Sequence, residues 1–115
     1  MVKVIICGGR EFFDKAKLYK VMDEFHSKTP VTTVVSGCAM GADNLGEWWA
    51  SDRKITVERY PADWKFYGKK AGPIRNGEMA RSGATHCVAF PGGSGTRDMI
   101  RQAKENSLYV LEIVK

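Results

Sequence analysis

Thr85-His86-Cys87-Val88-Ala89-Phe90, an apolar run, passes without a break into Pro91-Gly92-Gly93-Ser94-Gly95-Thr96, and a stretch with helical spacing begins near Arg97. A strand that ends in glycines and then opens a helix has the form of a phosphate cradle. Glycines let backbone approach a ligand closely, while the unpaired N–H groups and positive dipole end of the following helix attract an anion. Thr96 adds a hydroxyl donor and reads as a helix cap. The same residues also make a Gly-rich turn with no ligand, so the remainder of the chain has to separate the two readings.

Four other apolar, β-branched runs accompany this one, at Val2–Cys7, Val31–Ser36, 55–60 and 108–114. Their hydrophobicity is continuous rather than alternating, which predicts strands buried on both faces. Stretches with helical spacing lie between them at 15–27, 43–51, 74–81 and 96–106; in the first, Ala16, Leu18, Tyr19, Met22 and Phe25 share one side. Regular alternation of strand and helix indicates right-handed βαβ crossovers. The predicted fold is α/β: a single Rossmann-like three-layer domain over residues 1–115, with a five-stranded parallel sheet in the order 3-2-1-4-5. Ligands of such sheets sit outside the carboxyl ends of the strands, where strand order reverses. Gly8-Gly9-Arg10 follows the first strand, Ser36-Gly37 through Gly41-Ala42-Asp43 the second, and the Pro91 segment the fourth. Three glycine-bearing loops therefore converge on one crevice, which favours a phosphate-bearing ligand.

Bulk composition narrows the partners. The 115 residues are 43% hydrophobic, enough for one core, and the formal charge of +5 favours an anionic partner. Lys and Arg are scattered in nothing longer than pairs, so nucleic acid is only weakly indicated. Cys7, Cys38 and Cys87 are odd in number and lack CxxC spacing, which predicts reduced thiols in a cytoplasmic protein and no metal site. The first apolar run is too short to be a signal peptide or to span a membrane.

No Gly-x-Gly-x-x-Gly follows the first strand and no Gly-x-x-x-x-Gly-Lys-Ser/Thr occurs, which argues against an ordinary NAD site or a P-loop. Residues 59–76 form a long connection that mixes Trp64, Phe66 and Tyr67 with Lys and Arg. Those aromatics suit either base stacking or a lid or subunit contact. Pro73 reads as the first residue of a helix, which puts Arg75 and Asn76 in its opening turn near the crevice. Arg75 and Arg10 each offer a fork for phosphate or carboxylate. Asp43 reads as a helix cap or as an acceptor for a ribose hydroxyl. His26 and His86 have no carboxylate or cysteine near them in sequence and read as structural.

Gly8-Gly9-Arg10, the Ser36 to Asp43 loop, Tyr60-Pro61-Ala62-Asp63-Trp64, Gly68-Lys69-Lys70-Ala71-Gly72-Pro73-Ile74-Arg75-Asn76-Gly77-Glu78-Met79 and Phe90 through Thr96 together resemble the YspA-type branch of the SLOG superfamily. The Ala-Gly-Pro-x-Arg-Asn-x-x-Met block is the most specific part. The resemblance implies a Rossmann-like domain that senses or sequesters a nucleotide or nucleotide-derived small molecule, often as a homo-oligomer and without a cofactor. Its expected binding residues are Gly8, Gly9, Arg10, Ser36, Gly37, Gly41, Asp43, Trp64, Arg75, Asn76, Pro91, Gly92, Gly93, Ser94, Gly95 and Thr96.

A related branch is similar to the cytokinin-activating phosphoribohydrolases, which use an Arg in an Arg-Lys-x-x-Met block and a Glu in Pro-Gly-Gly-x-Gly-Thr-x-x-Glu. Arg75 matches that Arg, but Asn76 stands at the Lys and Met99 at the Glu. Asp98 is the neighbouring acid, one residue and about 100° of helix rotation away. Loss of that carboxylate removes the main electrostatic device for glycoside cleavage. The alternatives to binding are therefore an N-glycoside hydrolase that uses Arg75 with Asp98 or Glu78, and a DNA-binding module, since a DNA-processing protein of bacterial transformation shares the broad fold.

Overall fold

The computed structural model describes residues 2–114. Five parallel strands, β1 (Val2–Cys7), β2 (Val31–Ser36), β3 (Thr56–Arg59), β4 (His86–Ala89) and β5 (Tyr109–Glu112), form one sheet in the order β3-β2-β1-β4-β5. The connections carry helices α1 (Lys15–Lys28), α2 (Ala42–Asp52), α3 (Trp64–Tyr67), α4 (Ala71–Ala80) and α5 (Ser94–Glu105). A 3-10 turn at Gly68–Lys70 runs α3 into α4. This is the α/β Rossmann-like arrangement and strand order that the alternation of apolar runs implies.

The pleat of the central strands divides the core. Val4 and Ile6 of β1 face one side with Val34, Val88 and Phe90, where Leu18 and Met22 of α1 and Leu45 and Trp49 of α2 cover them. Ile5 and Cys7 face the other, against Met79 and Ala80 of α4 and Met99 and Ala103 of α5. Adjacent residues thus serve opposite layers, as a period of two requires. Trp49 and Phe90 are completely enclosed, and a large apolar side chain so buried contributes about 1.5–3 kcal/mol.

Burial on both faces holds for β1, β2 and β4 but not for the edge strands. β3 and β5 are half open, with Tyr109 73% and Leu111 44% exposed. The helix pairs lie over the sheet centre and cover the margins only in part, with Val57 and Val110 packed against the two core layers.

Three helix starts also differ from the sequence expectation. α2 is preceded by Gly41, and Asp43 is its second residue rather than its cap. α5 follows Gly93, so Thr96 is the third helical residue and caps nothing. The 3-10 turn extends α4 back to Ala71, so Pro73 is third rather than first; it still lies in the turn where an N–H is dispensable.

The loops at the carboxyl edge interlock through backbone. Gly9 donates its N–H to Pro91 O at 2.9 Å, and its carbonyl accepts from Phe12 N and Ala42 N, both at 3.2 Å. Gly41 adopts φ +80, and a Cβ there would lie 2.6 Å from Arg10 O. Only glycine serves at that contact.

Candidate functional site

The loops enclose a crevice of about 530 Å³ beyond the ends of β1 and β4. On one wall, the N-terminus of α5 has no side-chain cap, and the first backbone N–H bonded back is that of Arg97, to Gly93 O at 3.0 Å. The amides of Ser94, Gly95 and Thr96 accordingly have no backbone acceptor among the described residues. A Cβ on Gly93 or Gly95 would meet nothing within 4 Å, whereas one on Gly9 would stand 2.9 Å from Pro91 O and one on Gly92 2.6 Å from Gly9 N. The glycines therefore divide into a set that locks loop to loop and a pair that borders open space.

A polar relay holds the opposite wall. Arg75, on α4, donates Nη1–H to Gly37 O and Nε–H to Asn76 Oδ1 at 3.1 Å. Asn76 donates in turn to Asp98 Oδ2 at 2.9 Å and to Gly95 O at 3.3 Å. Gln102 and Arg101 also donate to Asp98, at 2.9 and 2.7 Å. Burial of Asp98 works against its charged form, but the hydrogen bonds from Asn76, Gln102 and Arg101 outweigh it and keep the carboxyl below its ordinary range. Asp98 is thus a charged clamp between α4 and α5. Arg75 is left with Nη2, which has no protein partner among the described residues, to meet a ligand.

Asp43 sits deeper, 7% exposed, and accepts from Ala39 N at 3.1 Å. Burial pushes its pKa up to about 6, against the lowering influence of the Ala39 amide, Arg75 and Arg10. On the floor, Cys7 Sγ lies 3.8 Å from Cys87 Sγ. That contact and burial raise the Cys7 thiol pKa. At the mouth, the Arg10 guanidinium stands 5.8 Å from the centre of the Trp64 ring, an arrangement that favours a cation over the aromatic face. Both residues, with Arg75, also border a second hollow of about 340 Å³ that adds Gly37 and Cys38.

The crevice brings together Gly8, Gly9, Arg10, Asp43, Trp64, Arg75, Asn76, Gly93, Ser94, Gly95, Thr96 and Asp98 from the sequence-derived set, and Gly37 lines the adjoining hollow. Ser36, Gly41, Pro91 and Gly92 line neither. Ser36 is buried and bonded to Glu47 at 2.6 Å, while Pro91 and Gly92 pack against Gly9. Glu78 is exposed and also lies outside the lining. Lys69, Met79 and Ala39 also line the crevice; all three lie within the stretches that carry the resemblance but outside the expected binding set, and Cys7, as the last residue of β1, was legible from strand position alone. Met99 is buried on the floor. His26 accepts from Val31 N at 2.9 Å and packs edge-on against Trp49, remote from this lining.

A model of the YspA, cpYpsA-related SLOG family matches residues 2–67. The Gene 61 protein of Mycobacterium phage D29 is 39% identical over 119 residues, covering 96% of this chain and 95% of that protein. The X-ray structure of DNA processing protein A (DprA) from Streptococcus pneumoniae is similar with a TM-score of 0.77 at 16% identity, a likeness that shows the fold. It covers 99% of this chain, which spans 50% of that structure's length.

Proposed function

The chain belongs to the YspA, cpYpsA-related SLOG family, and from that premise we propose that its crevice binds a nucleotide or nucleotide-derived small molecule by a phosphate group. The observation that carries this reading is the uncapped start of α5, where Gly93 and Gly95 border empty space and the amides of Ser94, Gly95 and Thr96 are unspent. A phosphate there meets the positive end of the helix dipole and the backbone N–H groups. Arg75 supplies charge from across the crevice, and Arg10 and Trp64 frame the mouth for a base.

Binding is favoured over hydrolysis because neither acid put forward for cleavage is available: Asp98 is fully engaged and Glu78 lies outside. Isothermal titration with mononucleotides, dinucleotides and cyclic nucleotides tests the proposal. Arg75→Ala is expected to weaken whichever ligand binds by about tenfold to a hundredfold, the range of a lost charged hydrogen bond. Absence of binding by every nucleotide at millimolar concentration refutes it.

One observation favours a second reading, single-stranded nucleic acid. Lys65, Lys69 and Lys70 flank the exposed rings of Phe66 and Tyr67, the mixture of cations and stacking surfaces that such strands use. Affinity for an oligonucleotide must then fall steeply with salt, and a flat response removes that reading.

A further inference from the structure

Asp43 is nine-tenths buried in the crevice wall, yet only one of its oxygens is employed. Oδ2 accepts the Ala39 amide, while Oδ1 has no protein partner among the described residues. No fully buried side-chain oxygen lacks a partner among the described residues, so Oδ1 is not sealed off, and Asp43 lines the crevice. Arg75 comes close to it on one face of Gly37: a Cβ on that glycine would lie 2.8 Å from Arg75 Nη1 and 3.0 Å from Asp43 Oδ2. The two charges nevertheless make no ion pair among the described residues. Arg75, with Nη2 unspent, and Asp43, with Oδ1 unspent, thus line one crevice, and a hydroxyl is the group that can accept from the one while it donates to the other. A phosphate oxygen would be repelled by the carboxylate, and an ammonium by Arg75 and Arg10.

We propose that Asp43 selects the sugar: its free Oδ1 takes a ribose hydroxyl of a ligand whose phosphate lies at the start of α5, so the site is specific for ribonucleotide-type ligands over deoxy forms. This rests on the phosphate reading given above and adds the class of sugar. Selection depends on the ionised carboxylate. The groups that face it are Arg75 from α4, Arg10 from the loop after β1, Cys7 from β1 and Glu47 from α2 itself. Burial first, with Glu47, raises the Asp43 pKa to about 6, so discrimination is full at pH 7.5 and fades in mild acid.

The test is titration with the four ribonucleoside 5′-monophosphates, their 2′-deoxy and 3′-deoxy counterparts, ribose 5-phosphate and inorganic phosphate, at pH 7.5 and 5.0. Ribo and deoxy forms carry the same phosphate, so the ratio of their affinities removes its titration. The tightest ribonucleotide is expected to bind about tenfold or more tightly than at least one deoxy form at pH 7.5, the effect of leaving a buried charged acceptor unmatched. The ratio should approach one at pH 5.0, and in Asp43→Asn, which should still take inorganic phosphate. Equal affinities at pH 7.5, or a ratio that ignores pH, overturn the proposal and leave the phosphate reading standing. No binding by any phosphate-bearing probe overturns both, and because the decisive ratio is read on the wild-type chain, the test survives a poorly folding variant.

Discussion

Asp43→Asn is expected to stabilise the free protein at neutral pH, even though it impairs the site. Burial lifts the carboxyl from its ordinary 3.8 to about 6 in the folded state. The difference is about 2 units, and at 1.36 kcal/mol per unit it corresponds to about 3 kcal/mol of instability in the ionised form. The sign follows from proton binding. The native state holds this proton more tightly than the unfolded chain, so stability is greatest below the unfolded pKa, declines as pH rises from about 4 to about 6, and is level above. Asparagine has no charge to desolvate, and its carbonyl retains the Ala39 bond. The variant should therefore exceed wild type by up to about 3 kcal/mol at pH 7.5, roughly 10 °C in Tm for a chain of this size, and by no more than about 0.5 kcal/mol at pH 4. Urea denaturation followed by circular dichroism at pH 4, 5, 6 and 7.5 measures this directly. A variant less stable than wild type at pH 7.5, or a difference independent of pH, would refute the reasoning.

The two classes of glycine should respond oppositely. Gly41→Ala combines an unfavourable positive φ with a clash against the carbonyls of Gly9 and Arg10, and at least about 2 kcal/mol should be lost in chemical denaturation. Gly95→Ala, inside α5 with open space above it, should be neutral or up to about 1 kcal/mol more stable, while nucleotide titration shows weaker binding. Asn76→Ala opens the relay between Arg75 and Asp98; a cost of about 1–3 kcal/mol and weaker ligand binding are expected by denaturation and calorimetry. Labelling with a thiol reagent at pH 8 should show Cys38 reacting first, because Cys7 and Cys87 are buried and the Cys7 thiol resists ionisation; three thiols should react in denaturant.

The sheet order was legible because β1, β2 and β4 are written as uninterrupted apolar runs and turn glycines follow each strand that ends at the crevice. Exposure of β3 and β5 was not, since a run such as Tyr109 to Leu111 reads alike whether or not a helix covers it. The short helix at Trp64–Tyr67 does have a local signal in Asp63, which caps it by accepting from Phe66 N at 3.1 Å. The glycine loops, Arg10 and Arg75 were readable as motif. The relay was not, because Asn76 and Asp98 lie 22 residues apart and meet only when α4 and α5 pack. Asp43 was legible as a residue of the crevice but ambiguous in role, and the cap reading falls only because α2 begins at Ala42 after Gly41, which makes Asp43 its second residue.

Gly9 bonds to all three neighbouring segments, Phe12, Ala42 and Pro91, entirely through its own amide and carbonyl. The shape of the crevice is thereby written in backbone, while the charges and rings at its rim belong to side chains that take no part in the lock. Arg10, Trp64, Lys69 and Ser94 can be exchanged without disturbing a single one of those bonds. A frame of this kind permits a lineage to retune what its crevice recognises one residue at a time, with folding insulated from each trial.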